Sequence, residues 1–213
     1  MVLGKSTETM LNPNQSSGGG SSDLAEFLRG ELTEHRQVFE ATCAAIDPSF
    51  AAILEIVEHG VRAGGKILLF GNGGSAADAQ HIAAELIIRY KADRAAIAAI
   101  ALTTDSSALT ACGNDMGFDA LFRRQIEALA RPGDVVIGIS TSGNSPNVLA
   151  GLSEARKRGA RTIGLTGGSG GRMPEVCDAL IAVPSAITAR IQEMHILIGH
   201  MLCKALEQRL GLV

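Results

Sequence analysis

His81 and Glu85 stand four residues apart, and in a helix that spacing puts an imidazole and a carboxylate on one face. Such a pair can hold a divalent cation or move a proton. On most helices it does neither and is a solvated pair contributing a few tenths of a kcal/mol. Farther along, Gln192, Glu193, His195 and His200 interrupt an otherwise apolar helical pattern. Gln192 and His200 are eight residues apart, about 12 Å along a helix axis and roughly 80° around it. Buried in an apolar helix, these polar groups need partners, since each left unpaired costs about 1–3 kcal/mol. His81, Glu85, Gln192 and His200 together make an oxygen and nitrogen donor set, without thiolate, that suits zinc or another divalent ion.

Two further stretches point to an anion. The apolar run Lys66 to Phe70 leads into Asn72, Gly73 and Gly74, where glycine permits a tight turn and close approach of a ligand to the backbone. Ser75 reads as the N-cap of the following helix, with Asp78 three residues on, so free N–H groups face the turn. The pattern is neither the dinucleotide fingerprint nor a Walker loop. The second stretch is STSGNS, where Ser140, Thr141, Ser142 and Ser145 cluster around Gly143 at the end of DVVIGI. An ST-turn and a cap would use one or two hydroxyls. Four, beside a helix start and with no arginine clamp, point to a phosphate held by neutral donors and a helix dipole.

The elements that must position these groups alternate. Apolar runs at Lys66 to Phe70, Ala95 to Leu102, Asp134 to Ile139, Arg161 to Leu165 and Ala179 to Val183 read as five strands. Helical patterns separate them, including Met116 to Ala130, Pro146 to Arg158 and a closing helix from Ala186 to Arg209. The expected fold is therefore a three-layer α/β domain, a doubly wound five-stranded parallel sheet. Ligands of such sheets bind beyond the carboxyl ends of the strands. Two amphipathic helices precede the first strand, Asp23 to Ala45 and a second beginning near Pro48; they belong to no strand–helix unit and either cover a sheet edge or, the favoured reading, pack against another subunit. Residues 1–22, poor in apolar residues and ending in QSSGGGSS, read as a disordered tail ahead of a single domain over 23–213.

With a net charge of −3 and no Trp, the chain has neither a basic excess nor a stacking platform for nucleic acid. Cys43, Cys112, Cys177 and Cys203 lack C-x-x-C spacing, so free thiols in a reducing compartment are expected. No segment is long enough to span a bilayer, and no apolar signal opens the chain, so the expected location is the cytoplasm.

Taken together, GNGGSAADAQHIAAEL, CGNDMGF, GISTSGNSPNV and RIQEMHILIGH resemble, in order, the sedoheptulose 7-phosphate (phosphoheptose) isomerase family of the sugar isomerase (SIS) fold. The resemblance runs from about Asp23 to Leu210. It implies an aldose–ketose isomerase that converts D-sedoheptulose 7-phosphate to D-glycero-D-manno-heptose 7-phosphate, the first step toward surface heptoses such as those of lipopolysaccharide. It also implies a homotetramer with active sites at subunit interfaces, and one zinc per subunit, replaceable by another divalent ion. By this resemblance Glu85 and His200 form the acid/base pair, and His81, Glu85, Gln192 and His200 hold the metal. Asn72, Gly73, Gly74, Ser75, Glu85, Arg89, Asn114, Asp115, Ser140, Thr141, Ser142, Ser145 and Gln192 meet the substrate. Ala189 departs from the family, which carries an aspartate before Arg190, and this bears on substrate selectivity. A different class, the non-catalytic tetrameric SIS adaptor that binds the replication initiator protein, lacks the full acid/base and ligand set.

Overall fold

The computed structural model describes residues 20–213. They fall into two compact units, one ending at Arg36 and the other spanning Gln37–Val213; helix α1 (Gly20–Ala45) contributes to both. The expected tail over 1–22 lies, as far as residue 19, outside the described residues, and α1 starts three residues before the predicted helix. On α1, Leu24, Phe27, Leu28 and Leu32 are exposed.

The larger unit is an α/β sandwich. Helix α2 (Asp47–Arg62) begins with Pro48 in its first turn, where a missing N–H costs nothing. Then come β1 (Ile67–Gly71), α3 (Gly74–Ile87), β2 (Ala99–Ala101), α4 (Ser106–Asp115) and α5 (Leu121–Leu129). The chain continues through β3 (Val135–Ser140), α6 (Pro146–Lys157), β4 (Arg161–Gly167), β5 (Ala179–Val183) and α7 (Thr188–Arg209). Every strand pairing is parallel, in the order β2-β1-β3-β4-β5.

Strand residues alternate between two cores, as a two-residue period requires. Ile67, Leu69, Ile137 and Ile139 pack with α2, α3 and α7, whereas Leu68, Phe70 and Val136 pack with α5 and α6. Phe70 stacks on Phe122 at 4.7 Å between centroids. Ile53 and Val57 of α2 are fully buried against the same core as β5 and α7. This helix therefore covers the sheet next to β5, the first of the two placements open to it from the sequence.

Two expected elements are shorter than predicted. The second strand keeps three residues of the run Ala95 to Leu102, as an edge strand with one neighbour. The helix expected over Met116 to Ala130 is broken at Gly117, whose φ of +83 is left-handed; a 3-10 turn (Phe118–Ala120) precedes α5. Glycine is the residue for which that conformation carries no steric penalty.

Sheet order fixes the place of function. β1 sends α3 to one face, β3 sends α6 to the other, and the two strands are neighbours paired Phe70 to Gly138 and Gly71 to Ile139. Their carboxyl ends thus open a crevice at the topological switch point.

Candidate active site

Both anion-binding stretches lie at that crevice. A cleft of about 270 Å³ is lined by Asn72, Gly73, Gly74, Ser75, Ser140, Thr141, Ser145 and Gln192, with Ile139 and Thr188. A neighbouring cleft of about 280 Å³ shares Thr141 and adds Ser142 and the Gly167–Gly168 turn after β4.

The glycine turn works differently from its sequence reading. The N-cap of α3 is Gly73, at φ +56 and ψ −121, and it makes no side-chain cap bond. Ser75 is instead buried inside the first turn. The φ is the physical reason: a left-handed entry into the helix admits glycine, and a serine cap would need extended backbone there. The turn is braced from the side by a residue the sequence reading left unassigned, Asn147. Asn72 Nδ2 donates to Asn147 Oδ1 at 2.9 Å, and Asn147 Nδ2 donates back to Asn72 Oδ1 at 2.8 Å. This reciprocal amide pair ties the loop after β1 to the first turn of α6. Asn147 also accepts the Val148 N–H at 2.9 Å, so its amide is held firmly.

In STSGNS the hydroxyls divide. Ser142 Oγ accepts the Asn144 N–H at 3.2 Å in a local turn. Ser140 and Ser145 hydroxyls bond each other at 2.9 Å, and Ser145, although the N-cap of α6, makes no cap bond. Gly143 has φ +66, and a Cβ there would stand 2.0 Å from the Gly170 carbonyl oxygen, so the loop after β4 presses directly on its backbone.

The second group lies along α3. His81 Nε2 is 2.8 Å from His200 Nε2 and 3.4 Å from Glu85 Oε1, and one ligand atom from each of the three residues lies within 4.8 Å of the others. Glu85 is 21% exposed and His81 47%, so the group opens to solvent from the His81 side. The Tyr90 ring lies 5.5 Å from that of His200. Tetrahedral ligands at metal distances of about 2.0–2.1 Å stand roughly 3.3 Å apart, close to the His81–Glu85 separation and about half an ångström more than the His81–His200 one. Three protein donors that leave a fourth position open are the pattern of a catalytic metal site. Cys203, the nearest thiol on α7, is pushed up to about 12 by burial and then by the charges of Glu85 and Glu207, so it stays a thiol.

Gln192 lies against the glycine turn, where a Cβ on Gly74 would approach its Nε2 to 2.5 Å. A Cβ on Gly199 would likewise meet Ile82 at 2.6 Å, and His200 meets His81. These pairs advance together, so α3 and α7 lie side by side and parallel. Along the backbone Gln192 therefore stands beside the start of α3 and His200 beside its eighth residue, a rise of about 10 Å at 1.5 Å per residue. Three of the four expected ligands converge; the fourth borders the phosphate-type cleft.

Three other expected residues lie outside the cleft in this chain. Arg89 follows the end of α3, with Ile88 as its C-cap, and pairs with Asp93. Asn114 and Asp115 end α4, where Asn114 Nδ2 donates to Asp115 Oδ1 at 2.6 Å. Asp115 lines a larger cleft, of about 730 Å³, between α4 and α5. Asp78 is half-buried, and its Oδ2 has no partner among the described residues. Burial raises its carboxyl to about 6, against the lowering effect of His81.

Comparison with known proteins fits this geometry. Residues 32–167 match the SIS domain family. The phosphoheptose isomerase of Paramagnetospirillum magneticum is 56% identical over 184 residues, 86% of this chain and 96% of that protein. Among solved structures, the phosphoheptose isomerase of Neisseria gonorrhoeae superposes with a TM-score of 0.82 at 43% identity, covering 87% of this chain and 99% of that one. That of Francisella tularensis gives 0.83 at 36% identity, covering 86% and 98%. A cradle at the switch point, a His–Glu–His group along α3, and relatives aligned over nearly their whole length lead to one conclusion: the chain belongs to the phosphoheptose isomerase family of SIS-domain proteins.

Proposed function

We propose that this protein is an aldose–ketose isomerase that converts D-sedoheptulose 7-phosphate to D-glycero-D-manno-heptose 7-phosphate, opening the synthesis of heptose precursors. The observation that carries the reading is the spacing between cradle and trio. The phosphate-type turns and the His81–Glu85–His200 group are about two helical turns apart along α3. A seven-carbon chain with phosphate at one end and a carbonyl at the other can bridge them.

Ser140, Thr141, Ser142 and Ser145, with the Gly73–Gly74 turn, hold the phosphate by neutral donors and helix N-termini. Ser75 lines the same turn, and Asn72, fixed by Asn147, keeps its shape. Gln192 orients the sugar beside Gly74. The reaction moves one proton from C1 of the ketose to C2, and another from O1 to O2. Glu85 takes the carbon-bound proton and returns it to C2. His200 moves the hydroxyl proton, a task for which imidazole is the natural side chain near neutral pH. His81, Glu85 and His200 would hold zinc or another divalent ion, which when bound supplies Lewis-acid stabilisation of negative charge on the substrate oxygens. Glu85 has two carboxylate oxygens, one for each task.

We further propose a homotetramer. The exposed stripe of Leu24, Phe27, Leu28 and Leu32 on α1 favours contact with another copy. Arg89, Asn114 and Asp115, outside the cleft of their own chain, would then serve a neighbour's site. A sugar-phosphate substrate favours a cytoplasmic enzyme; among the described residues no helix is long and apolar enough to cross a membrane.

The test is an assay with sedoheptulose 7-phosphate in deuterated water, with and without a chelator. Expected are formation of the heptose phosphate with deuterium at C2, loss of turnover on chelation, and recovery with zinc. A protein inactive on every sugar phosphate tried would refute the reading.

A further inference from the structure

The segment leaving α3 carries a charge network that lines none of the clefts described above. The apolar pattern of α3 runs on through Ile88, yet the helix stops at Ile87. Arg94 stops it. Its Nη2 donates to the Glu85 carbonyl at 2.8 Å, and its Nη1 to the Leu86 carbonyl at 2.7 Å and the Ala95 carbonyl at 3.0 Å. Its Nε donates to Glu207 Oε1, on α7, at 2.8 Å. The same Glu207 oxygen accepts the Tyr90 N–H at 3.2 Å, while the Tyr90 ring packs beside His200. The Arg94 side chain is 0% exposed and that of Glu207 2%.

Each link has a physical reason. The last carbonyls of a helix lack partners within it, and a cation there also meets the negative end of its dipole. Guanidinium is a planar fork with fixed donor directions, so it can serve consecutive carbonyls of one helix and a carboxylate of another at once; an ammonium cannot. Stability alone does not account for keeping the pair, because a buried ion pair is often replaced by apolar residues at no loss. Its placement does account for it. The fork grips the peptide carbonyl of Glu85 itself, and Glu207 lies two turns beyond His200 on α7.

We propose that Arg94 and Glu207 are positioning residues for the trio: their ion pair sets the reach and direction of Glu85 relative to His200. The proposal rests on the reading of the trio given above. Neither residue touches substrate, and both act through the backbone of α3 and the placement of α7.

The experiment uses the full-length chain with Arg94→Lys, Glu207→Gln and the double variant Arg94→Met/Glu207→Leu. The double variant leaves no orphan buried charge, so it keeps the test decisive if Glu207→Gln, which keeps both accepting contacts but leaves the Arg94 charge unpaired, is destabilised. Cobalt(II) is the probe, titrated by its visible absorption independently of turnover. For Arg94→Lys and the double variant the expected result is affinity about 10–100-fold weaker with a changed spectrum, the size of effect seen when a ligand's supporting partner is lost. Glu207→Gln, which loses only charge assistance, should show a smaller loss of about fivefold. In turnover, kcat should fall while KM stays within about twofold, because the phosphate cradle is untouched. A merely structural pair would lower Tm and leave cobalt affinity, spectrum and kcat of the folded variants at wild-type values; that result overturns the proposal. His200→Gln is the control. Wild-type cobalt binding in His200→Gln would refute the metal reading of the trio, and the split between kcat and KM in the Arg94 variants would still decide the positioning role.

Discussion

The two ends of the cleft are built in opposite ways. The phosphate-type end comes from two short contiguous runs, Asn72–Ser75 and Ser140–Ser145, each a strand end turning into a helix start. Its donors are hydroxyls and backbone groups, and its shape comes from left-handed glycines. The His81–Glu85–His200 end joins side chains 119 residues apart and exists only because α3 and α7 lie parallel. Local backbone geometry sets one end and helix packing sets the other. Binding and chemistry should therefore respond separately to substitution.

The largest separation is expected at the trio. Glu85→Gln and His200→Gln should each lower kcat by about 10²–10⁴-fold, the usual contribution of a general acid or base, with KM nearly unchanged. The double variant should cost less than the product of the singles, because the two groups act as a unit. Steady-state kinetics with circular dichroism as a fold control measures this. A Glu85→Gln enzyme with near-wild-type turnover would take the chemistry away from this end.

The same contrast explains what the sequence made legible. Five strands, their alternation with helices and the cradle follow from apolar runs and from glycines beside hydroxyl-rich turns, all local signals. His81 and Glu85 are legible as a helical pair. Their meeting with His200 follows only indirectly, from polar groups on an apolar helix that need partners and from the family resemblance, because no local pattern states which residues of α3 and α7 face each other. Eight residues of helix separate Gln192 from His200, and parallel packing carries them to different ends of the cleft. Residue type points to Ser75 as a cap, but a positive-φ glycine, Gly73, enters the helix without one. The end of α3 is hidden for a related reason: Leu86, Ile87 and Ile88 continue the pattern, and what stops the helix is an arginine beyond it. One faint signal of that clamp did exist. Glu207 follows His200 by seven residues, with Cys203 between, on the inner side of an apolar helix.

His195 joins the two ends, and its effect should be intermediate. It lies fully buried on α7, and its Nε2–H donates to the Thr166 carbonyl at 3.0 Å, at the end of β4 beside the cradle. Burial depresses its pKa to about 4, against the opposing effect of that hydrogen bond. Between pH 6.5 and 4 the unfolded chain takes a proton that the folded chain refuses. The stability linked to His195 is thus complete above pH 6.5 and lost on acidification toward 4, roughly 3 kcal/mol at most. Asp78 acts in the reverse sense: with its carboxyl raised to about 6, the folded chain gains stability as pH falls from 6 toward 4. His195→Gln, which retains a donor for Thr166, should leave the Asp78 trend exposed, and Asp78→Asn should leave the His195 trend. Denaturant unfolding of the three proteins at pH 7 and pH 4.5 makes the comparison, since the remaining carboxylates titrate alike in all of them. An unchanged pH slope in His195→Gln would mean that this imidazole takes up its proton as readily in the folded chain as in the unfolded one.

The smallest effect isolates the other end. Thr141 stands where the two adjoining clefts share a wall. Its carbonyl accepts the Gly167 N–H at 3.0 Å and thereby holds the β4 loop. Thr141→Val keeps that carbonyl, the branched shape and the backbone, and removes only the hydroxyl. A hydrogen bond to a charged group contributes about 1.5–3 kcal/mol, so loss of one donor to phosphate should raise KM by at least about tenfold. The trio lies roughly 10 Å along α3 from this wall, so kcat should stay within about twofold. Kinetics over a range of sedoheptulose 7-phosphate concentrations separates the two constants. If kcat fell with KM unchanged, Thr141 would act on the reacting carbons, and the division into a binding end and a chemical end would fail.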